Sequence, residues 1–316
     1  MSNAHFIISL IYFSSDQQWI FIIRLCASCP LDDGNPFARK CNGLENLCDV
    51  PVDEAMWATL HNAYSTDEDF FAAANHYSQL QTAVENGWRG INLDIGKCGG
   101  ELVFVHSKCF FGNSDPVKVF QWLDTWLDDN PNEVLLMPIQ IDNDAGGTVT
   151  LQEIYDMLSQ AGDFVNKLYV HERPATVFPT FNELIDRQQR VMFFVYNGES
   201  CASLGAACPR GFYDWFSIAA ESRFSFNSVE EIQNDDYSCE ATRGIIRPEG
   251  VFYGLNLFLS IPSDEAAKTL NTADFLRAHI EACSAKYGGW DVNLLLVDFW
   301  SIGDTLAVVE EYNRLL

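Results

Sequence analysis

The chain has 316 residues, of which 48% are hydrophobic, and its formal net charge is −25. This length is enough to bury one large core, so a single α/β domain accounts for it. Nucleic acids and anionic membranes bind clustered Lys and Arg, so the acidic balance counts against a DNA or RNA partner and against more than transient membrane contact.

Residues 1–40 form an N-terminal segment with two apolar runs, 6–13 and 19–25, separated by polar residues. Neither run is long enough to cross a bilayer. The segment lacks the basic start and the single unbroken apolar region of a secretory signal. We interpret it as a signal-like sequence or as a strap on the domain, which we place at residues 41–316.

The chain contains ten cysteines, a high number for a cytosolic enzyme. Eight fall in close pairs and two stand apart: Cys26/Cys29, Cys41/Cys48, Cys98/Cys109 and Cys201/Cys208, with Cys239 and Cys283 remaining. The first pair has the spacing of zinc ligands, but no second pair lies near enough to complete a site. The even count favours disulfides in an oxidising compartment, with the connectivity left open, and therefore secretion.

The first elements alternate between strands and helices. Residues 56–60 are predicted as a strand and residues 67–86 as a helix that Gly87 ends. A second strand is predicted at 90–95 and a third at 101–105. The two glycines between them indicate a turn.

The rest of the chain continues this alternation. Further helices are predicted at 117–129, 151–161, 181–187, 272–287 and 304–316, and further strands at 133–141, 167–170, 190–196, 250–259 and 292–299. Residues 198–236 are aromatic without clear periodicity. Of their aromatic residues, Trp215, Phe216, Phe224 and Phe226 either line the substrate entrance, contact a membrane or form a small core of their own.

This order of elements predicts the fold class. No Gly-x-Gly-x-x-Gly follows the first strand, so the alternation favours an irregular (β/α)8 TIM barrel over a doubly wound sheet. Barrel enzymes carry their chemistry at the carboxyl ends of the strands. The polar residues at or near such ends are His61, Asp94, Gln140, Tyr196, Asn256 and Asp298.

Two histidines are the main candidates for chemistry. His61 and His106 each end a short apolar run, and Asp94 ends another run between them. Histidine titrates near neutral pH, so two of them facing one carboxylate can perform general acid–base catalysis. The alternative is that each is a strand-end residue bonded to backbone.

Several motifs in this order resemble a known family. The motifs are His61-Asn62-Ala63-Tyr64, the segment from Gly87 to Asp94, Val105-His106, Phe178-Pro179-Thr180-Phe181 and Leu296-Val297-Asp298-Phe299. They resemble the X region of phosphatidylinositol-specific phospholipases C. The chain is more closely similar to the secreted PLC-like phosphodiesterases of fungi and other microbes. The resemblance covers roughly residues 41 to 313.

The resemblance implies an irregular TIM barrel and a reaction. A neighbouring hydroxyl of the substrate attacks the phosphodiester phosphorus, with His61 and His106 as the catalytic histidines and Asp298 orienting one of them. In calcium-dependent members the metal neutralises the phosphate, and its ligand positions fall here on Asn62, Asn92, Asp94 and Gln140.

The chain departs from that pattern at the metal positions. Calcium-binding members have acidic residues where this chain has Asn92 and Gln140, so one carboxylate with three amides predicts a weak Ca²⁺ site. Metal-independent relatives place an arginine at the position of Asp94. Lys97 is near enough in sequence to supply a cation instead, or it is a solvated turn lysine.

The remaining site candidates contact substrate. Arg243 offers bidentate donors to a phosphate, with a structural ion pair as the alternative, and Asn256 and Tyr196 are polar strand-end residues. The sequence predicts a monomeric phosphoric diester hydrolase that acts on a phosphatidylinositol-type lipid, a lipid-linked anchor or a soluble phosphodiester. The rivals are a catalytically decayed barrel that binds head groups or glycans, and a glycosidase that uses Asp94 and Asp298.

Overall fold

The computed structural model describes residues 39–171, 177–246 and 251–316. The compact unit that these residues form begins at Arg39. Most of the predicted N-terminal segment, with Cys26 and Cys29, lies outside the described residues. Within the described ranges, no helix is both long and apolar enough to span a membrane.

The strands and helices of the described residues alternate along the chain. The strands are β1 (Trp57–Leu60), β2 (Gly90–Ile91), β3 (Leu93–Cys98), β4 (Glu101–Phe104), β5 (Leu135–Asp142), β6 (Val191–Tyr196), β7 (Phe212–Asp214), β8 (Ala219–Ser222), β9 (Ala241–Gly244), β10 (Phe252–Leu257) and β11 (Leu294–Val297). The α-helices are α1 (Leu80–Glu85), α2 (Pro116–Asp129), α3 (Leu151–Leu158), α4 (Phe181–Asp186), α5 (Cys201–Leu204), α6 (Val229–Gln233), α7 (Asp235–Ser238), α8 (Asp264–Leu270), α9 (Ala273–Lys286) and α10 (Thr305–Asn313).

The strands form one curled, largely parallel sheet, which confirms the predicted irregular TIM barrel in a single domain. Parallel pairing joins β7, β6, β5, the β2–β3 strand, β1, β11, β10 and β8 in that order. Asn92 interrupts the second strand and divides it into β2 and β3. Among the described strands, no backbone ladder joins β7 to β8, so the barrel has a seam at that point.

A hairpin rises from the carboxyl edge of the barrel. β3 continues beyond its neighbours and turns back at Gly99 and Gly100, and β4 pairs antiparallel with it. Both glycines have positive φ, which suits the tight turn. Because β4 runs back toward the barrel, it delivers the residues that follow Phe104 to the barrel's edge.

Alternate residues along each strand belong to two different hydrophobic clusters. One cluster contains Trp57, Leu136, Phe252 and Leu294 and fills the barrel interior. The other packs the outer face of the strands against the helices, with Leu123 of α2 as an example. Side chains of a strand alternate with a period of two, so residues at even spacing from the interior set point into the barrel.

Four disulfides link cysteines within the described residues: Cys41–Cys48, Cys98–Cys109, Cys201–Cys208 and Cys239–Cys283. The three close pairs that lie in this part of the chain are therefore bonded, as are the two cysteines that stood apart. Disulfides in this number are typical of proteins that fold in an oxidising compartment.

Three predicted elements were wrong. Of the helix predicted at 67–86, only Leu80–Glu85 is helical. Its first part is an irregular loop because the Thr66 hydroxyl donates to the Asp69 carboxylate and accepts from the Asp69 N–H, a local pattern that competes with a helix. The strand predicted at 167–170 is a single bridge from Leu168 to Val191, and the region predicted as irregular contains β7 and β8.

Candidate active site

A cavity of about 530 Å³ opens at the carboxyl edge of the barrel. Its lining includes nine of the predicted residues: His61, Asn62, Asn92, Asp94, His106, Gln140, Tyr196, Arg243 and Asn256. His61 lies four residues after the interior residue Trp57, and the same spacing joins Leu294 to Asp298, Phe252 to Asn256 and Leu136 to Gln140. The strand period therefore brings these polar side chains to the end of the barrel interior.

His61 is held in one orientation by three neighbours. Its Nδ1 donates to Oδ1 of Asp298 at 2.8 Å. Asn75 donates to the same oxygen at 2.9 Å. The ring of Phe258 stacks on the imidazole with centroids 3.4 Å apart. Because Nδ1 carries the donated proton, Nε2 is the ring nitrogen that remains to accept one.

His106 pairs with a different carboxylate. Its Nδ1 donates to Oδ2 of Asp94 at 2.7 Å, and Gln140 donates to the same oxygen at 3.2 Å. Asp94 is buried, whereas the imidazole is 59% exposed. The hydrogen bond to Asp94 raises the pKa of His106 against the opposing effect of burial. The prediction that both histidines face one carboxylate was wrong, since each has its own.

The residues predicted as calcium ligands are hydrogen-bonded to one another and to neighbouring residues. Oδ1 of Asn92 accepts the Asn62 N–H at 3.2 Å, and its Nδ2 donates to Tyr196 and to Pro138. Oε1 of Gln140 accepts from Asn197 at 3.1 Å.

The set also has a single carboxylate, and Oδ2 of Asp94 accepts two hydrogen bonds. Calcium needs six to eight oxygen ligands and favours several carboxylates. These four residues offer one carboxylate and three amides, and the amide oxygens of Asn92 and Gln140 and one oxygen of Asp94 accept hydrogen bonds from the protein, so the set supplies few of the ligands that calcium needs.

A second carboxylate, that of Asp142, lies beside that of Asp94. One ligand atom each from Asp94, His106 and Asp142 fall within 4.8 Å of one another. Asp142 accepts the backbone N–H of Ser107 and that of Asp144. Its carboxylate therefore holds the turn that follows His106.

Arg243 forms the cationic corner of the cavity. Its guanidinium binds the buried Glu221 and lies over the ring of Phe224, 3.9 Å from the centroid. The structural ion pair is therefore present, and the same guanidinium lines the cavity. Among the described residues that line it, Arg243 is the single Lys or Arg.

Asn256 and Tyr196 flank that corner. Nδ2 of Asn256 donates to the carbonyl of Ser222 at 3.1 Å, and its Oδ1 is buried without a hydrogen-bond partner among the described residues. A buried acceptor of this kind in a cavity wall is a candidate for a ligand hydroxyl. Burial raises the pKa of Tyr196 far above its usual range, so its hydroxyl stays protonated.

Lys97 is not part of the cavity, contrary to the prediction. Its ammonium binds Glu153 of α3 at 2.6 Å. Lys97 lies three residues after Asp94 on β3, and an odd spacing places two side chains on opposite faces of a strand. The cation expected from Lys97 therefore does not reach the histidines.

Sequence reasoning did not place the residues that support His61 beside it. Asn75 and Phe258 position His61, and the buried His76 donates from Nε2 to the carbonyl of His61 at 2.7 Å. Burial lowers the pKa of His76 to about 4, so it is neutral. Asn75 and His76 fell inside the wrongly predicted helix, so their contacts with the pair of His61 and Asp298 were not predicted.

Comparisons with known proteins agree with this architecture. The family model PI-PLC X matches residues 47–313. The chain is 24% identical over 293 residues to PI-PLC X domain-containing protein 1 of Arthroderma benhamiae, and the match covers 87% of this chain and 90% of that relative.

Solved structures show the same fold. The phosphatidylinositol-specific phospholipase C from Listeria monocytogenes superposes with a TM-score of 0.56 at 12% identity, covering 84% of this chain and 95% of that one. A phosphatidylinositol-specific phospholipase C of S. aureus gives a TM-score of 0.54 at 14% identity, covering 83% and 93%.

Proposed function

Because the chain belongs to the PI-PLC X family, we propose that it is a phosphoric diester hydrolase of the phospholipase C type. The observation that carries the proposal is the pair of His–Asp dyads at one cavity, His61 with Asp298 and His106 with Asp94. A base and an acid that share a cavity are the minimum for cleaving a phosphodiester by proton transfer.

The two dyads suit different roles. Nε2 of His61 accepts the proton of a substrate hydroxyl while that oxygen forms a bond to phosphorus, and Asp298 stabilises the imidazolium that results. His106, whose pKa is raised by Asp94, enters as the protonated partner. It gives its proton to the leaving oxygen as the phosphorus–oxygen bond breaks, so the transferred protons balance.

In this proposal, protein side chains neutralise the negative charge of the phosphate. Arg243 and, in its protonated form, His106 are cations at the cavity, and the predicted ligands Asn62, Asn92, Asp94 and Gln140 offer a single carboxylate to a metal ion. We therefore expect cleavage without a divalent ion. Preorganised cations in a partly buried site stabilise a developing phosphorane-like charge.

The proposed substrate is a lipid with a polyol head group and one phosphodiester, of the phosphatidylinositol type. The cavity volume suits a single head group, and Oδ1 of Asn256 needs a hydroxyl donor. A net charge of −25 disfavours head groups that carry further phosphates. We further propose a secreted monomer, since four disulfides stabilise the described chain.

One observation favours the alternative of a barrel that has lost its catalytic activity. Asp94 is hydrogen-bonded where relatives place a charge-neutralising group, which would suit a barrel that binds head groups without cleaving them. A glycosidase is less well supported, because Asp94 and Asp298 each accept a hydrogen bond from a histidine and neither is arranged as an acid.

Hydrolysis of phosphatidylinositol in mixed micelles tests the proposal, with calcium and with EDTA. We expect wild type to be active in both, and His61→Ala and His106→Ala to lose at least about 100-fold, the usual contribution of general acid–base catalysis. Lys97→Ala is the matched control, since Lys97 lies outside the cavity, and it should retain activity. An active His61→Ala variant contradicts the mechanism, whereas an inactive wild type that binds the lipid supports the decayed barrel.

A further inference from the structure

Two neighbouring helices bring four side chains of the metal-ligand type together outside the cavity. Asp235 begins α7 and Cys239 caps its end, four residues apart, and His279 and Cys283 have the same spacing on α9. Residues four apart lie on one face of a helix, so each helix presents one pair. The two faces meet, because Cys239 and Cys283 form a disulfide and His279 is hydrogen-bonded to Asp235. None of these four described residues lines the cavity.

Three of the four side chains form a cluster of potential zinc ligands. One ligand atom each of Cys239, His279 and Cys283 lie within 4.8 Å of one another, and Nε2 of His279 is 3.5 Å from Sγ of Cys283. Both cysteines are 0% exposed and His279 is 2% exposed. Cysteine sulfur and histidine nitrogen are zinc ligands, and three protein ligands can leave the fourth position to water. Among the described residues, no other disulfide belongs to such a cluster.

Asp235 orients the histidine of the cluster. Nδ1 of His279 donates to Oδ1 of Asp235 at 2.7 Å, which leaves the lone pair of Nε2 on the side of Cys283. The ring of Phe275 stacks on the imidazole, with centroids 5.1 Å apart. A carboxylate that holds the far nitrogen is the usual support of a zinc-bound histidine. The side chain of Asp235 is 51% exposed, so it also connects the buried cluster with solvent.

The chemistry of the two sulfurs decides when a metal can bind. Only thiolates bind zinc strongly, so the sulfurs become ligands after the disulfide has been reduced. Two sulfurs about 2.3 Å from a tetrahedral zinc ion lie about 3.8 Å apart, so the pair opens by roughly 2 Å. Zinc displaces the two thiol protons, and the two thiolates then neutralise the charge of Zn²⁺. A neutral assembly suits a buried position, because an unpaired charge there is costly.

We propose that Cys239, His279 and Cys283 bind a zinc ion whenever the disulfide between the two cysteines is reduced, with water as the fourth ligand. The disulfide and the zinc ion are then alternative links between α7 and α9 through the same two sulfurs. Either link anchors the chain that leads into β9, where Arg243 lies four residues after Cys239. The zinc site is independent of the proposed function, since it takes no part in binding or cleaving a substrate.

Zinc binding by the reduced protein tests this proposal. Because both cysteines are buried, the full chain is unfolded, reduced with a phosphine and refolded in its presence. The phosphine gives two electrons to each disulfide and takes an oxygen atom from water, whose two protons remain on the thiols. Alkylation and mass spectrometry count the thiols. Competition with a chromogenic chelator gives the affinity for Zn²⁺, and the absorption spectrum with Co²⁺ reports thiolate ligands.

We expect the reduced wild type to bind one zinc ion per chain, and the oxidised protein to bind it at least about 100-fold more weakly. Asp235→Ala should weaken binding by roughly 10- to 100-fold, the usual effect of losing the support of a ligand. His279→Ala should weaken it further, because a ligand is lost. The matched control replaces both Cys201 and Cys208 with Ser, and it should bind zinc as the reduced wild type does.

A variant that needs no reductant tests the same site with the other three disulfides intact. Cys239→Asp cannot form the disulfide and offers an oxygen ligand beside His279 and Cys283. Cys239→Ala frees Cys283 equally but offers no ligand, so Cys239→Asp should bind zinc at least about tenfold more tightly.

Three results would overturn the proposal. They are a folded, fully reduced protein that does not bind zinc, equal zinc binding by the oxidised and reduced proteins, and a loss in the Cys201 and Cys208 control equal to that in His279→Ala. Melting temperatures establish that each protein is folded. If the reduced chain does not refold, equal zinc affinities of Cys239→Asp and Cys239→Ala overturn the proposal instead.

Discussion

The two bonds on Asp298 allow a sharp test of how it acts. The His61 and Asn75 donors both converge on Oδ1, whereas Oδ2 is buried and accepts no hydrogen bond in the described residues. In Asp298→Asn the amide oxygen can therefore take the place of Oδ1 and keep both bonds, with the NH₂ group at the place of Oδ2. The substitution removes the negative charge and leaves the orientation of His61 intact.

The expected losses follow from that geometry. A hydrogen bond to a charged group contributes about 1.5–3 kcal/mol and a neutral one about 1 kcal/mol, so Asp298→Asn should lower kcat roughly tenfold. Asp298→Ala removes both bonds, about 3–6 kcal/mol in all, and should lower kcat on the order of 10² to 10⁴-fold. The unpaired NH₂ of the Asn variant should also lower the free energy of unfolding by about 1–3 kcal/mol.

Steady-state hydrolysis at neutral pH gives kcat and KM of each variant, and denaturant unfolding gives its free energy of unfolding. Asp304→Asn is a matched control, since Asp304 caps the backbone of Ala273 away from the cavity. If Asp298→Asn is as slow as Asp298→Ala, the charge rather than the orientation carries the effect and the reasoning from Oδ1 fails. If Asp298→Asn is as fast as wild type, Asp298 does not stabilise an imidazolium.

The other predictions concern the supports of the two histidines. In Asp94→Asn the pKa of His106 should fall, because the hydrogen bond to the Asp94 carboxylate is the main cause that raises it. The alkaline limb of the pH–rate profile should then move to lower pH. A limb that does not move contradicts the assignment of His106 as the acid. Asn75→Ala should lower kcat about tenfold with KM little changed, because one bond to the carboxylate that positions His61 is lost, and a change confined to KM would contradict this. Replacing both Cys98 and Cys109 with Ser should lower kcat, since the bond fastens the hairpin that delivers His106, whereas the same change at the disulfide between residues 201 and 208 should not.

Much of the site was predictable because the alternation of side chains along a strand can be read from the sequence of that strand alone. The residues at the ends of β1, β5, β10 and β11 could be placed at one edge from the alternation of strands and helices alone. The pairing of His106 with Asp94 was not predictable in this way. It depends on the register of the β3–β4 hairpin, in which the Val105 N–H donates to the carbonyl of Asp94.

Failures of prediction came from short elements and side-chain competition. β7 and β8 have three and four residues, too few for a periodic signal. The loop that carries Asn75 looked helical because the turn made by Thr66 and Asp69 is a side-chain effect. The closed amide network around Asn92 could not be foreseen, because it joins four separate strands and loops in space.

The seam between β7 and β8 affects how wide the cavity can become. A barrel that is hydrogen-bonded all the way round resists a change in diameter, whereas this one is bridged at the seam by side chains. The guanidinium of Arg243, beyond β8, lies 5.8 Å from the ring centroid of Tyr196 on β6, and Phe216 packs between them. Tyr196 and Phe216 meet edge to face, and no backbone hydrogen bond of a sheet ladder holds the wall together at this point in the described residues. The sheet is therefore continuous around His61 and open beside Arg243, so a change in the width of the proposed site would take place at the seam.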